Sequence, residues 1–244
     1  MSDPPAVQGS ERGASANAPR ESNRIGKLLV ATAVGILCLI LLVGSVTVWI
    51  IYHRPPPLMA VASFRADFEE GSPKPGWRYL WNPTGDIGKT NNYRDLVWNG
   101  QSYGFDETPT FPRPNPAHYM RISREGGHPA HGKNQRGDID TYVIFAYTVT
   151  NAGFYLITNS FLIRSDGKVN GNDNLRVFIN EQPVGPEIIV ETKTPQPFDR
   201  PLGRLNAGDC VYVAVGPNGT DRNDHFKLDF TLMARLEKAR QSKR

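Results

Sequence analysis

The sequence predicts an all-β fold, a two-sheet jelly-roll β-sandwich preceded by one transmembrane helix, and three observations predict it. With 20 Pro and 23 Gly in 244 residues, the chain is broken into short runs and has little room for long helices. Several of those runs alternate apolar and polar residues with period two between Gly, Asn, Asp and Pro clusters, at the spacing of β-hairpins. Residues 28–52 carry no charge and are long enough to cross a bilayer as a helix.

Taken in order, residues 1–27 are rich in Ser, Ala, Pro and Gly and too poor in large apolar side chains to fold, which predicts a disordered tail. Residues 28–52 include Leu37, Leu39, Ile40, Leu41, Leu42 and Val43 and close on Trp49 and Tyr52, residue types that favour a membrane interface. A buried core helix would show a polar face, and none is visible. Arg12, Arg20, Arg24 and Lys27 precede the span while Arg54 and Arg65 follow it, so the positive-inside rule predicts a single-pass signal-anchor. The N-terminus would then be cytoplasmic and the C-terminal domain extracytoplasmic. Cleavage at Ala60-Val61-Ala62 is the rival reading, but the apolar run exceeds a signal core and the site lies beyond Pro55-Pro56-Pro57.

Residues 53–60 form a Pro-rich spacer, residues 61–234 the sandwich and residues 235–244 a basic tail. The first strand is read over Ala60–Phe68 and the next over Trp77–Trp81. Residues 82–138 are poor in pattern, with short strands near Leu96–Trp98 and Tyr119–Ile122. Tyr142–Thr148, Gly153–Ile163, Asn174–Asn180, Glu187–Thr192, Cys210–Val215 and Phe226–Leu232 complete a set of about eight to ten strands. The tail sets five cations against Glu237 and reads either as a solubilising end or as a contact for anionic headgroups.

A net charge of +4 that comes largely from the chain's two ends, without a basic patch interleaved with stacking aromatics, argues against nucleic acid as a partner. Cys38 lies in the apolar span and Cys210 in a strand, so the sandwich has no internal disulfide to form and must be held by its core.

Three motifs have spacings that chemistry could use. Gly100-Gln-Ser102-Tyr-Gly104 has the spacing of a hydrolase nucleophile elbow, but the proline-rich stretch after it cannot supply the required helix, which favours a plain turn. His128-Pro-Ala-His131 lacks the helix and the Glu of a zinc motif. Asp166–Gly171 begins like a calcium loop yet carries Lys168 at a ligand position and Val177 where a bidentate Glu belongs.

The closing stretch is Leu202-Gly-Arg-Leu-Asn-Ala-Gly-Asp209, Cys210-Val-Tyr-Val-Ala-Val-Gly-Pro-Asn-Gly219, a polar loop through Asp224, then Leu228-Asp-Phe-Thr-Leu232. With Gly76–Tyr79, Trp98, the His128-Pro129 pair and the Tyr142–Val149 run, it resembles jelly-roll, carbohydrate-binding-type modules of bacterial extracytoplasmic proteins. The resemblance implies a non-catalytic binding module for carbohydrate or another envelope component. It requires no cofactor beyond a possible structural calcium between the first and last strands. Asp67, Glu69 and Asp229 are the acids placed for that ion, the alternative being solvated charges at a strand end. Trp77, Tyr79, Trp81, Trp98 and Tyr103 are the ligand candidates, because a sugar ring lays its C–H bonds on an aromatic face. The same alternation of Trp and Tyr also fits a sandwich core. A rival from another class is a trimeric domain of the tumour-necrosis-factor or C1q type, which would associate through an aromatic-lined face.

Overall fold

A computed structural model of the chain describes residues 20–104, 120–132, 139–165, 172–219 and 224–237. The chain divides into two units, residues 1–55 and 56–244. The first contains helix α1 (Arg20–His53), in which Lys27–Ile51 is long and apolar enough to cross a membrane. Its apolar side chains, such as Leu29, Leu37, Leu41 and Trp49, are exposed all round the helix, so nothing within the unit buries them. Thr32, Ser45 and Thr47 donate their hydroxyls back to the carbonyls of Leu28, Leu42 and Val43, which leaves these polar groups satisfied within the helix.

The second unit runs β1 (Met59–Ser63), α2 (Phe64–Asp67), β2 (Trp77–Trp81), β3 (Arg94–Asp95), β4 (Val97–Trp98), β5 (Tyr103–Gly104), β6 (Arg121–Ser123), β7 (Gly126–His128) and β8 (Ala130–Gly132). It continues with β9 (Ile139–Thr141), β10 (Val143–Thr148), β11 (Gly153–Arg164), β12 (Asp173–Ile179), β13 (Gln182–Pro183), β14 (Ile188–Val190), β15 (Arg200–Leu205), β16 (Cys210–Gly216) and β17 (Phe226–Leu236). All the pairings are antiparallel. The first sheet has the order β15-β11-β17-β7-β6-β5-β4, with β1 also on β17; the second has the order β13-β12-β16-β10-β2-β3, with β14 on β12. The predicted sandwich of two antiparallel sheets is therefore what the chain forms. Pro201 sits in β15, an edge strand, where a missing N–H costs no ladder bond.

The core lies between the sheets. Phe64 is its hub, fully buried, with ring centroids 4.7 Å from Phe145, 6.1 Å from Phe230 and 6.3 Å from both Trp77 and Tyr79. The alternation predicts a first strand through Phe68; the strand instead stops at Ser63 and α2 follows. A spacing of four keeps Phe64 and Phe68 on one side of a strand and equally on one side of a helix, so the apolar pattern could not decide. Asp67 decides it by turning back to accept the Ser63 N–H at 2.8 Å.

The second sheet is covered on its outer face as well. Leu80, Ile144, Ala146 and Ala214 pack there with Tyr93 and Tyr142, and half-buried Ile87 and Cys210 join them. The closing strand is longer than the alternation suggests: β17 continues through Leu236, paired with β1 as far as Ala234 and with Phe154 and Gly153 of β11 at Arg235 and Leu236. The first two residues of the expected tail, Arg235 and Leu236, are thus strand, and residues 238–244 lie outside the described residues.

Candidate functional site

The aromatic platform expected from the sequence is not on the surface. Trp77, Tyr79, Trp81 and Tyr103 are 4%, 1%, 6% and 1% exposed, and all four belong to the core between the sheets. Tyr103 stacks edge-on to Phe68 and donates its hydroxyl to the Glu69 carbonyl at 2.7 Å. Trp98, paired across the strands with Tyr103, is half-buried against the same cluster. The alternation fits either a platform or a core, and the structure takes the second: the Trp-x-Tyr-x-Trp face points inward, where these rings remove far more apolar area from water.

The proposed calcium trio is not assembled either. Asp67 accepts from Lys74 Nζ at 2.6 Å and from the Trp77 indole at 3.3 Å. Although burial raises its pKa, the bonds from Lys74, Ser63 and Trp77 outweigh that and hold it below the usual carboxylate range. Asp229 faces Arg65, whose guanidinium stands 3.9 Å away, and Glu69 contributes its main-chain carbonyl to Tyr103. Protein cations thus hold the two aspartates, and no group of three metal-binding side chains forms among the described residues. Ser102 closes a β4–β5 hairpin, its N–H on Asn99 Oδ1 at 3.0 Å; a strand follows it, so the elbow geometry is absent. The Asp166–Gly171 loop lies outside the described residues.

What the fold does gather is a set of polar side chains at one end of the sandwich, where β7, β11 and β16 finish and β6, β10, β12 and β17 begin. His128 and His225 meet edge-on with ring centroids 4.5 Å apart. Arg121 Nη2 lies 2.8 Å from His225 Nδ1; a guanidinium only donates, so His225 is the acceptor. Nearby, His131 Nδ1 is 2.8 Å from Asp140, which also accepts the Gly219 N–H at 3.1 Å. The two histidines of the sequence motif therefore turn to different partners.

Deeper in lie Asp173 and Asp224, both fully buried, beside buried Arg164. Neither oxygen of Asp173 accepts a hydrogen bond among the described residues. Burial first, and the charge of Asp224 second, push Asp173 well above the ordinary carboxylate range, with Arg164 pulling the other way. Between the unfolded carboxyl's range, about pH 4, and the higher folded value, the folded chain holds a proton that the unfolded chain has released. Stability therefore falls as pH rises through that window. Asp173→Asn is expected to melt higher than the parent at neutral pH, with the advantage vanishing near about pH 4. Thermal melts of both proteins across that range check this; an advantage independent of pH would contradict it.

Position in the fold gives this end a meaning. Met59, at the start of β1, and Leu236, at the end of β17, lie at the other end of the first sheet, where Gly153 pairs with Leu236. The polar cluster begins where Arg164 pairs with Phe226, the full length of β17 away, roughly 34 Å at about 3.4 Å per residue.

A scan of protein-family models finds no match to this chain, and no curated protein matches it. Among solved structures, the chain is similar to a family 35 carbohydrate-binding module from Clostridium thermocellum, at 17% identity and a TM-score of 0.27, covering 38% of this chain and 69% of that one. It is also similar to the CBM36-1 domain of a multidomain xylanase from the hindgut metagenome of Trinervitermes trinervoides, at 11% identity and a TM-score of 0.27, covering 46% and 90%. A third is the C-terminal CBM6 of LamC from Zobellia galactanivorans, at 11% identity and a TM-score of 0.25, covering 43% and 87%. Likeness of this size carries no inference about a ligand.

Proposed function

We propose that the chain is a single-pass, membrane-anchored, extracytoplasmic binding module without catalysis, and that it takes its ligand at the polar end of the sandwich. The observation that carries this reading is the placement of two polar pairs, Arg121–His225 and His131–Asp140, at the end opposite the one where the chain enters the sandwich. An anchored module with that layout holds its site away from its tether. Guanidinium, imidazole and carboxylate at one rim can exchange hydrogen bonds with the hydroxyls of a carbohydrate, the ligand class that the sequence resemblance implies. Buried Asp173, Asp224 and Arg164 stand behind that rim.

A glycan-array screen of the full chain in detergent, repeated with Arg121→Ala, tests the reading. Loss of one charge-assisted hydrogen bond should weaken binding by about tenfold or more. If no glycan binds, or if Arg121→Ala and His225→Ala both bind as the parent does, the proposal fails. The trimeric alternative needs an exposed aromatic face, and among the described sandwich residues only Phe154 is an exposed aromatic. The mass of the detergent-solubilised chain distinguishes one copy from three.

A further inference from the structure

The end of the sandwich opposite the polar cluster carries a surface that the binding reading does not use. A groove of about 300 Å³ is lined by Leu58, Phe154, Leu156, Pro201, Gly203 and Arg235. Phe154 is 57% exposed and Leu58 41%, while Met59 beside them is 48% exposed. In the sheet, Phe154 stands between Arg204 on β15 and Arg235 on β17. Arg204 is bonded through two nitrogens to Glu237, at 2.7 and 3.0 Å, so its charge is matched by a carboxylate, while Arg235 on the other side of Phe154 is also exposed. A water-exposed Phe and Leu flanked by Arg is the composition of a surface that dips into the headgroup layer, apolar side chains among the acyl chains and cations on the phosphates.

Chain length selects the occupant. Only four residues lie between His53, the last residue of α1, and Leu58 in the groove, five steps that reach at most roughly 17 Å for an extended backbone. Arg54 lies in that link, and Lys238, Arg240, Lys243 and Arg244 follow Glu237 in the sequence. If α1 spans a bilayer, this groove cannot be far from its surface. Resting on that reading of α1, we propose that the Leu58–Phe154–Arg235 surface docks on the lipid bilayer itself, the interfacial contact being made by Phe154 and Leu58 and the electrostatic one by Arg235. Docking there would hold the module with its polar end directed away from the membrane, replacing free swinging on the Pro-rich link.

The test uses the full chain reconstituted in bilayers of zwitterionic lipid, with or without an anionic lipid. A photoreactive benzoylphenylalanine replaces Phe154 in one sample and Ile189, a 50% exposed residue of the second sheet, in the other. After irradiation the masses of the adducts are read. Lipid adducts at position 154 are expected to exceed those at 189 by about five-fold or more, and Arg235→Glu should cut them by about five-fold in anionic bilayers, less at high salt. Equal yields at the two positions, or adducts at 154 only to a second copy of the chain, would overturn docking. Carbonate extraction separates the two ideas: a chain that is washed off has lost the anchor and the docking together, whereas a retained chain without lipid adducts at 154 has lost the docking alone.

Discussion

Alanine at Trp77 or Tyr79 is expected to lower the stability of the sandwich by about 3 to 5 kcal/mol, the cost of emptying a large aromatic site in a close-packed core. Both rings touch Phe64, and Trp77 also packs edge-on to Phe230 at 5.8 Å and Tyr147 at 5.3 Å, so truncation would open a cavity between the sheets. Trp98→Ala should cost less, because that ring is half-buried. Denaturant titration of the three variants gives the order directly. Were Trp77→Ala or Tyr79→Ala to leave the midpoint unchanged while abolishing ligand binding, these rings would be surface platforms and the core described above would be wrong.

A second large effect is expected at Gly126. This residue has φ of 149°, and a Cβ on it would lie 2.1 Å from the Phe226 carbonyl oxygen, main-chain atoms that cannot turn aside. The next residue, Gly127, would bring a Cβ to 2.5 Å from the Arg121 carbonyl. The two glycines let β7 lie between β6 and β17, and β7 carries His128 to His225. Gly126→Ala should therefore cost on the order of 3 kcal/mol and, in whatever folds, displace His128. Gly100→Ala is the control: its φ is 95° but nothing stands within 4 Å, so only backbone strain of about 1 kcal/mol is expected. Equal melting temperatures for the two variants would show that the β7 packing is not as tight as these distances require.

The strands were legible where the period-two pattern was clean. Trp77–Trp81 is observed with the bounds read from sequence, and Val143–Thr148 and Cys210–Gly216 each differ by one residue. What alternation cannot give is which face is inside. In β2 the inward Trp77 and the outward Leu80 are both buried, because each face of the second sheet is covered. The strand β15, with Pro201, Gly203 and two arginines, has no apolar rhythm to detect and is held by its register on β11.

The polar end was nearly invisible in the sequence for a different reason. Arg121, Arg164 and Asp173 each stand singly at a strand boundary, Asp140 in a three-residue strand and Asp224 in a loop, where a polar residue is the ordinary punctuation of a turn. Only the order of strands in the sheets brings them to one place. The available hint is Asp224-His225 directly before the closing strand, at the end of the polar loop.

β17 pairs with β11 along one edge and with β1 and β7 along the other, yet it is the last strand of the sandwich in chain order. Met59 waits for Ala234, and Gly126 for Lys227, so the middle of the first sheet is empty until residues 226–236 have been synthesised. The second sheet has no such dependence on β17. Growing on the ribosome, the chain would hold Phe154, Ile157 and Leu162 on an unpaired edge of β11 until β17 emerges, an invitation to misassociation. Contacts this distant in sequence also close slowly, over milliseconds to seconds in sandwiches of this kind. Biogenesis of this module thus depends on keeping a nearly complete but open sheet from sticking to its neighbours until one late segment seals it.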